Sequence, residues 1–241
     1  MTQAQTGEYT AKDIQVLEGL EAVRVRPGMY IGSTDQRGLH HLIYEILDNA
    51  VDEAMAGFCE RVDITISEEG WISVIENGRG IPIDKHPKTG KSALETVMTT
   101  LHAGGKFGGG AYKVTGGLHG VGGSVVNALS EELRAEVRRQ GWLYSQEYER
   151  GKPTGGLTKG EKTTEHGTTV SFKPDSQIFP DIEYDFETLT SHFKEIAYLN
   201  KGLEIAFTSH WHYDKRRGDI CLLYTSPSPR DATLSRMPSS A

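Results

Sequence analysis

Residues 38–57 read "GLHHLIYEILDNAVDEAMAG", and the way this stretch folds decides what is built around it. Leu39, Leu42, Ile43, Ile46, Leu47, Ala50, Val51 and Ala54 recur at helical spacing as one apolar stripe, and Gly57 suits the helix stop. Glu45, Asn49 and Glu53 interrupt it four residues apart. They drift only about 40° per step and share one edge. Acids on such an edge are ordinary for a solvated helix. Asparagine is not, because it is a mediocre helix former. Glu45 stands beside Leu42 and Ile46, where a carboxylate would be partly desolvated, a condition that suits a general base. His41, four residues earlier on the same face, is placed to orient it. Alone, a histidine there is more often structural than catalytic.

On the N-terminal side, residues 1–11 are polar. "DIQVLEGLEAVRVRP" then predicts a short helix, with Asp13 as its cap, an apolar stripe of Ile14, Leu17, Leu20 and Val23, and Pro27 as its stop. On the C-terminal side, "RVDITIS" and "WISVIE" alternate with period two around "EEG" and predict a hairpin. "SALETVMTTLHAGG" reads as a serine-capped helix, and a further helix follows at about 121–129. "ELRAEVRRQ", "WLYSQEYER", "GTTVSFKP" and "LEIAFT" read as strands, and "DFETLTSHFKEIAYLNKG" as a helix from an aspartate to Gly202. Helices and hairpins mix without βαβ alternation. The expected fold is therefore α+β: a two-layer sandwich of a mixed, mostly antiparallel sheet with helices on one face. From residue 209 the chain is rich in Ser and Pro and shows no periodicity; "CLLYTSPSPRD" resembles translated cloning sequence. The expected division is an arm at 1–11, a domain at 12–208 and a tail at 209–241.

Bulk properties exclude several function classes. The 241 residues carry 26 basic and 33 acidic side chains, a net charge of −7, which argues against a nucleic-acid platform. Cys59 and Cys221 lack metal spacing and suggest a reducing compartment. No apolar run is long enough to span a membrane, and "MTQAQTGEYT" lacks the pattern of a signal peptide, so the expected setting is the cytoplasm.

Two glycine-bearing stretches add chemistry. In "ENGRGIPI", Gly78 and Gly80 would let a flat ligand approach the backbone, although an ordinary Asn-Gly turn reads the same way. "GGKFGGGAYKVTGGLHGVGG" at 104–123 contains neither a P-loop nor a complete dinucleotide fingerprint. Its Gly116, Gly117, Gly120 and Gly122 still leave backbone N–H groups bare before a helix start that favours an anion, and Lys106 and Lys113 would add charge. The first half reads as a lid that is mobile without ligand, the second as a phosphate grip.

An acid/Asn helix, then a strand ending in an acid-x-Gly-x-Gly turn, then a glycine lid, then "GTT" on a strand resembles the ATPase superfamily of type II topoisomerases, ninety-kilodalton heat-shock chaperones, sensor histidine kinases and MutL proteins. "VLEGLEAVRVRPGMYIG", "LDNAVDEAMAG", "NGRGIP", "LHAGGKF" and "YKVTGGLHGVGGSVVNALS" are similar to the N-terminal ATPase domains of the gyrase B family over residues 9–208. The resemblance implies the Bergerat-type fold, ATP and Mg²⁺ as ligands, and ATP-driven dimerisation that powers DNA strand passage and negative supercoiling. It implies that Glu45 activates water, supported by His41, and that Asn49 holds the Mg²⁺. Glu53 and Arg79 would pair at the pocket wall beside Gly80, with Ile81 and Pro82 against the adenine. Glu76 and Thr168 would read the base. Lys106, Tyr112 and Lys113 would belong to the lid, and the backbone of Gly117, Leu118, His119, Gly120, Val121 and Gly122 would wrap the phosphates. Tyr9 and Ile14 would form an arm reaching into a second copy of the chain, and Arg139 would match a contact for aminocoumarin inhibitors. The gyrase A protein and DNA would be engaged by parts of a longer protein.

Three departures qualify this. Glu76 stands where the family has Asp: a hydrogen bond to the adenine amine could survive a small backbone or ligand shift, and without it an unsatisfied donor would cost roughly 1–3 kcal/mol, so weaker ATP binding is expected. Gly123 replaces an aliphatic residue and would loosen the first helical turn by about 1 kcal/mol. The chain stops before the domain that would supply a lysine to the γ-phosphate. The rivals are the topoisomerase IV counterpart, whose distinguishing features lie outside this chain, and a nucleotide-binding dimerisation module without efficient hydrolysis.

Overall fold

The computed structural model describes residues 17–103, 122–214 and 218–225. The hairpin forms as expected: β1 (Arg61–Ile66) pairs antiparallel with β2 (Ile72–Glu76). On one side the sheet continues through β3 (Ser130–Arg139), β4 (Trp142–Glu149) and β7 (Gly167–Pro174), with the short β5 (Lys152–Pro153) and β6 (Thr158–Lys162) both paired to β4. On the other side lie β8 (Glu204–Asp214) and β9 (Gly218–Thr225). The path through the sheet is β5-β4-β3-β7-β2-β1-β8-β9, and β1·β8 is its parallel pair. The sheet is mixed and mostly antiparallel.

Register explains where the core sits. Ile66, Ile72, Phe172 and Leu133 align across four strands, and so do Ile64, Val74, Val170 and Ala135. All eight are buried, because period-two alternation sends one set of side chains to one face. A third row, Val62–Glu76–Thr168–Val137, carries two polar side chains into that same buried layer. On the opposite face the sheet presents Asp63, Ser73, Arg134, Glu136 and Ser171, with Ser73 and Ser171 hydroxyls 2.9 Å apart.

The apolar face is covered by helices. α3 (Gln36–Met55) starts at Asp35, whose carboxylate accepts from Arg37 N–H at 2.9 Å, and it buries Leu39, Leu42, Ile43, Ile46, Leu47, Ala50 and Val51. Each large side chain so buried contributes about 1.5–3 kcal/mol. α4 (Ala93–Thr99) takes the expected serine cap, Ser92 Oγ accepting from Glu95 N–H at 3.0 Å. α5 (Gly122–Leu129) is buried along its whole length. α6 (Phe186–Leu199), capped by Asp185, sets Phe186 and Phe193 against Phe207 of β8 at ring separations of 5.4 and 5.0 Å.

Several elements differ from expectation. Within the described residues the first helix, α1, spans Gly19–Val25, with Leu17 and Glu18 outside it; Asp13 and Ile14 lie outside the described residues. Pro27 ends it and also caps α2 (Gly28–Ile31). Strands β5 and β6 escape sequence reasoning because every residue is exposed and no alternation marks them; backbone pairing to β4 holds them. β6 also sets Lys159 Nζ 3.7 Å over the Trp142 ring. The strand expected to close at Thr208 runs on to Asp214, and β9 returns against it. Of the stretch from 209, read as tail, residues 209–214 and 218–225 thus lie in the sheet. Its period is hidden because Ser209 is buried and polar, with its hydroxyl 2.7 Å from His212 Nδ1.

Candidate functional site

The polar edge of α3, the turn after β2, the start of β7 and the N-terminus of α5 converge. His41 Nε2 lies 3.0 Å from Glu45 Oε1, one turn apart on α3. The hydrogen bond to Glu45 raises the His41 pKa; burial opposes this, and the Glu45 and Asp48 charges assist it. Asn49 is exposed one turn further along. α5 begins directly against this edge: a Cβ on Gly122 would fall 2.5 Å from Glu45 Oε2 and 3.1 Å from its backbone oxygen. Only a bare backbone fits there. The helix's N-terminal amides are thereby brought next to the Glu45 carboxylate, where an anionic ligand would be met by the positive end of the dipole.

The other end of the site is the turn after β2. Glu76 is 8% exposed and its carboxylate accepts from Gly78 N–H; Thr168, its cross-strand partner on β7, also hydrogen-bonds it. Burial pushes the Glu76 carboxyl above the usual carboxylate range, against the opposing effect of Thr168 and Gly78. Thr168 Oγ1 accepts from Ile81 N–H at 3.2 Å, so the strand and the turn are tied together. A Cβ on Gly78 would meet Glu76 Oε2 at 2.5 Å and Glu53 Oε2 at 3.0 Å, and Gly80 takes a left-handed φ of +72°.

Glu53 of α3 and Arg79 of the turn pair directly. Arg79 Nε donates to Glu53 Oε2 at 3.0 Å and Nη2 to Oε1 at 2.8 Å, a bidentate arrangement, while its backbone N–H also reaches Oε2 at 3.1 Å. Arg139 Nη1 donates to the carbonyls of Gly80 at 2.7 Å and Arg79 at 3.1 Å. Pro82 follows Ile81 at the exposed rim.

Glu45, His41, Asn49, Glu53, Glu76, Arg79, Gly80, Ile81, Pro82, Gly122, Arg139 and Thr168 therefore belong to connected elements. Tyr9, Ile14, Lys106, Tyr112, Lys113, Gly117, Leu118, His119, Gly120 and Val121 lie outside the described residues. Sequence reasoning missed two neighbours. His166 Nδ1 is 2.8 Å from the Gly78 carbonyl, and the Phe58 ring lies 3.9 Å under the Arg79 guanidinium. The first could have been found from its position immediately before "GTT"; the second has no sequence signal.

Among the described residues no cluster of three or more His, Cys, Asp or Glu side chains is arranged to hold a metal. The exposed Asn49 amide is an oxygen donor of a chemistry that suits a hard cation. No helix among them is long and apolar enough to cross a membrane.

The sequence profile of the histidine kinase-, DNA gyrase B- and HSP90-like ATPases matches residues 34–178, and the chain belongs to that family. Its similarity is to the DNA gyrase B proteins of many bacteria. It is 61% identical to that of Synechocystis sp. over 207 residues, covering 84% of this chain and 19% of the relative. For Micrococcus luteus the identity is 58%, covering 84% and 28%, and for Thermotoga maritima 55%, covering 87% and 33%. The chain thus spans between 19% and 33% of the length of these relatives.

Proposed function

We propose that the chain is the ATP-binding part of a gyrase B-type topoisomerase. The observation that carries this is the close approach of Gly122 to the His41–Glu45 pair on α3, with the Glu76–Thr168 pair on the neighbouring strands β2 and β7. Triphosphate would lie toward α5 and adenine toward Glu76, where the buried carboxylate and Thr168 hydroxyl offer hydrogen bonds to a base. Ile81 and Pro82 would pack on its face. Glu45 is the group positioned to take a proton from an attacking water, and His41 keeps that carboxylate oriented. Mg²⁺, when bound, would neutralise phosphate charge beside Asn49. Lys106, Tyr112, Lys113 and the backbone from Gly117 to Val121 would complete the phosphate side, and Tyr9 and Ile14 would reach into a second copy. The nucleotide unit would span residues 12–208, with the remainder of β8 and β9 extending the sheet away from the site. The gyrase A protein and DNA would be engaged elsewhere in the longer protein, in the cytoplasm, with ATP-driven closure powering supercoiling.

The test is nucleotide titration with Mg²⁺, paired with phosphate release, for the wild-type chain and Glu45→Gln. Saturable binding in both, with release abolished in Glu45→Gln, supports an enzyme. Binding without release in either assigns a binding and dimerisation module. Absence of saturable binding refutes the proposal.

A further inference from the structure

Helix α5 meets the candidate site at its first residue, and what holds its far end lies outside that site. Every residue of α5 is buried, and its eight residues span about 12 Å. The last carbonyls of a helix have no partner within it and carry partial negative charge. Here they are taken up by a cluster. Arg24 of α1 donates through Nη1 to Ala128 O and through Nη2 to Asp175 Oδ2, both at 2.7 Å. Asp175 N–H donates to Leu129 O at 3.0 Å. Arg150 Nε reaches the same Asp175 oxygen at 2.9 Å, and Asp175 Oδ1 accepts from Gln177 N–H at 3.0 Å. Gly151, with φ of +85°, packs so closely that a Cβ there would sit 3.3 Å from the Ala128 Cα. The Asp175 side chain is fully buried, and both cations that face it point at one oxygen.

We infer that Arg24 and Asp175 are positioning residues for the phosphate end of the site, setting the axial position of α5 against Glu45. This rests on the nucleotide reading above. The helix is a short buried rod with its N-terminus against Glu45 and its C-terminus fixed to a forked guanidinium. Slack at the clamp shifts the N-terminal amides, whereas the Glu76–Thr168 end is held chiefly by the β2–β7 pairing. Arginine is needed because its planar fork reaches a carbonyl and a carboxylate together; a single ammonium cannot occupy both positions.

The test compares Arg24→Lys with the wild-type chain for a non-hydrolysable ATP analogue with Mg²⁺ and for adenosine. The expected result is analogue affinity lower by roughly fivefold or more, with adenosine affinity held within about twofold. Amide hydrogen exchange supplies an arm that needs no ligand: exchange should quicken at Gly123–Val126 while Val74 and Val170 in the sheet keep their rates. Equal weakening of both ligands, no weakening, or uniformly faster exchange overturns the inference. If Arg24→Lys does not fold, Asp175→Asn, which keeps shape and the Gln177 contact, is read by the same criteria. Should the wild-type chain bind neither ligand, the nucleotide reading fails while the exchange arm still decides the clamp.

Discussion

Glu76→Asp separates folding from recognition at one atom. In the present structure the Glu76 carboxylate curls back onto Gly78 N–H and is also bonded by Thr168, and Glu76 itself is only 8% exposed. Removing a methylene withdraws the carboxylate by roughly 1.5 Å. Gly78 is buried, so its N–H then loses a charged acceptor with no water to replace it. That should cost about 1–3 kcal/mol of folding stability. The same withdrawal frees the carboxylate from its own turn and, on the proposed nucleotide reading, gives it the aspartate length that the gyrase B resemblance implies for contact with the exocyclic amine of adenine. Satisfying that donor should strengthen ATP binding by roughly 1–3 kcal/mol, on the order of 5- to 150-fold. Two measurements decide the matter: thermal or urea unfolding without ligand, and calorimetric titration with ATP and with GTP, whose six-position carbonyl cannot donate. Stability should fall, ATP affinity should rise, and the preference for ATP over GTP should widen. Equal ATP affinity in a folded Glu76→Asp protein would refute the reasoning.

Four further outcomes follow from the same contacts. Gly122→Ala would press a methyl to 2.5 Å from Glu45 Oε2 and should cost about 1–3 kcal/mol in unfolding measurements, with phosphate release reduced because Glu45 is displaced. Gly123→Ala should instead stabilise by about 0.5–1 kcal/mol, since its nearest neighbour, at 3.3 Å, is the flexible Met98 side chain; a lower melting temperature would contradict this. Burial raises the Glu76 carboxyl, so the folded state holds that proton more tightly than the unfolded chain. Its stabilising contribution is complete below the unfolded value near ~4.3 and is lost as pH rises through the folded one, and Glu76→Gln should flatten that part of the stability profile. His40 behaves oppositely. Burial lowers its pKa and its Nε2 accepts from Asp185 N–H at 3.0 Å, so stability should drop as pH falls from about 6.5 toward the folded value, and less so in His40→Gln.

What was legible in the sequence was whatever periodicity or capping carries. The stripe from Leu39 to Val51, the hairpin at Arg61–Glu76 and the serine cap at Ser92 each follow from local rules, and the structure places all three. The pairing of Glu53 with Arg79 was legible only through family resemblance, since 26 residues separate them and no local rule joins them. β5 and β6 were illegible for a definite reason. An edge strand held chiefly by backbone bonds needs no apolar alternation, and all their residues are exposed. The extension of β8 past Thr208 was hidden by polar partners, the buried Ser209 and the half-buried His212, which satisfy each other where the sequence pattern expects hydrophobic residues.

The site follows the same division. Glycine content marked both Gly78 and Gly122 as unusual, yet content alone cannot say whether such a residue frees the chain or is pressed against something. The contacts decide it. Gly122 and Gly78 each lie where a methyl would strike a carboxylate, and Gly167 lies where one would fall 1.9 Å from the Glu76 carbonyl oxygen. Gly123, one residue along the same helix, has an adaptable side chain as its nearest neighbour and only van der Waals contacts beyond it. Three of these four glycines are therefore required by close approach to Glu45, Glu53 or Glu76 and the fourth is not. That is why neighbouring substitutions at 122 and 123 are expected to move stability in opposite directions: the backbone of α5 is fitted to Glu45 at its first residue and released from that constraint at its second.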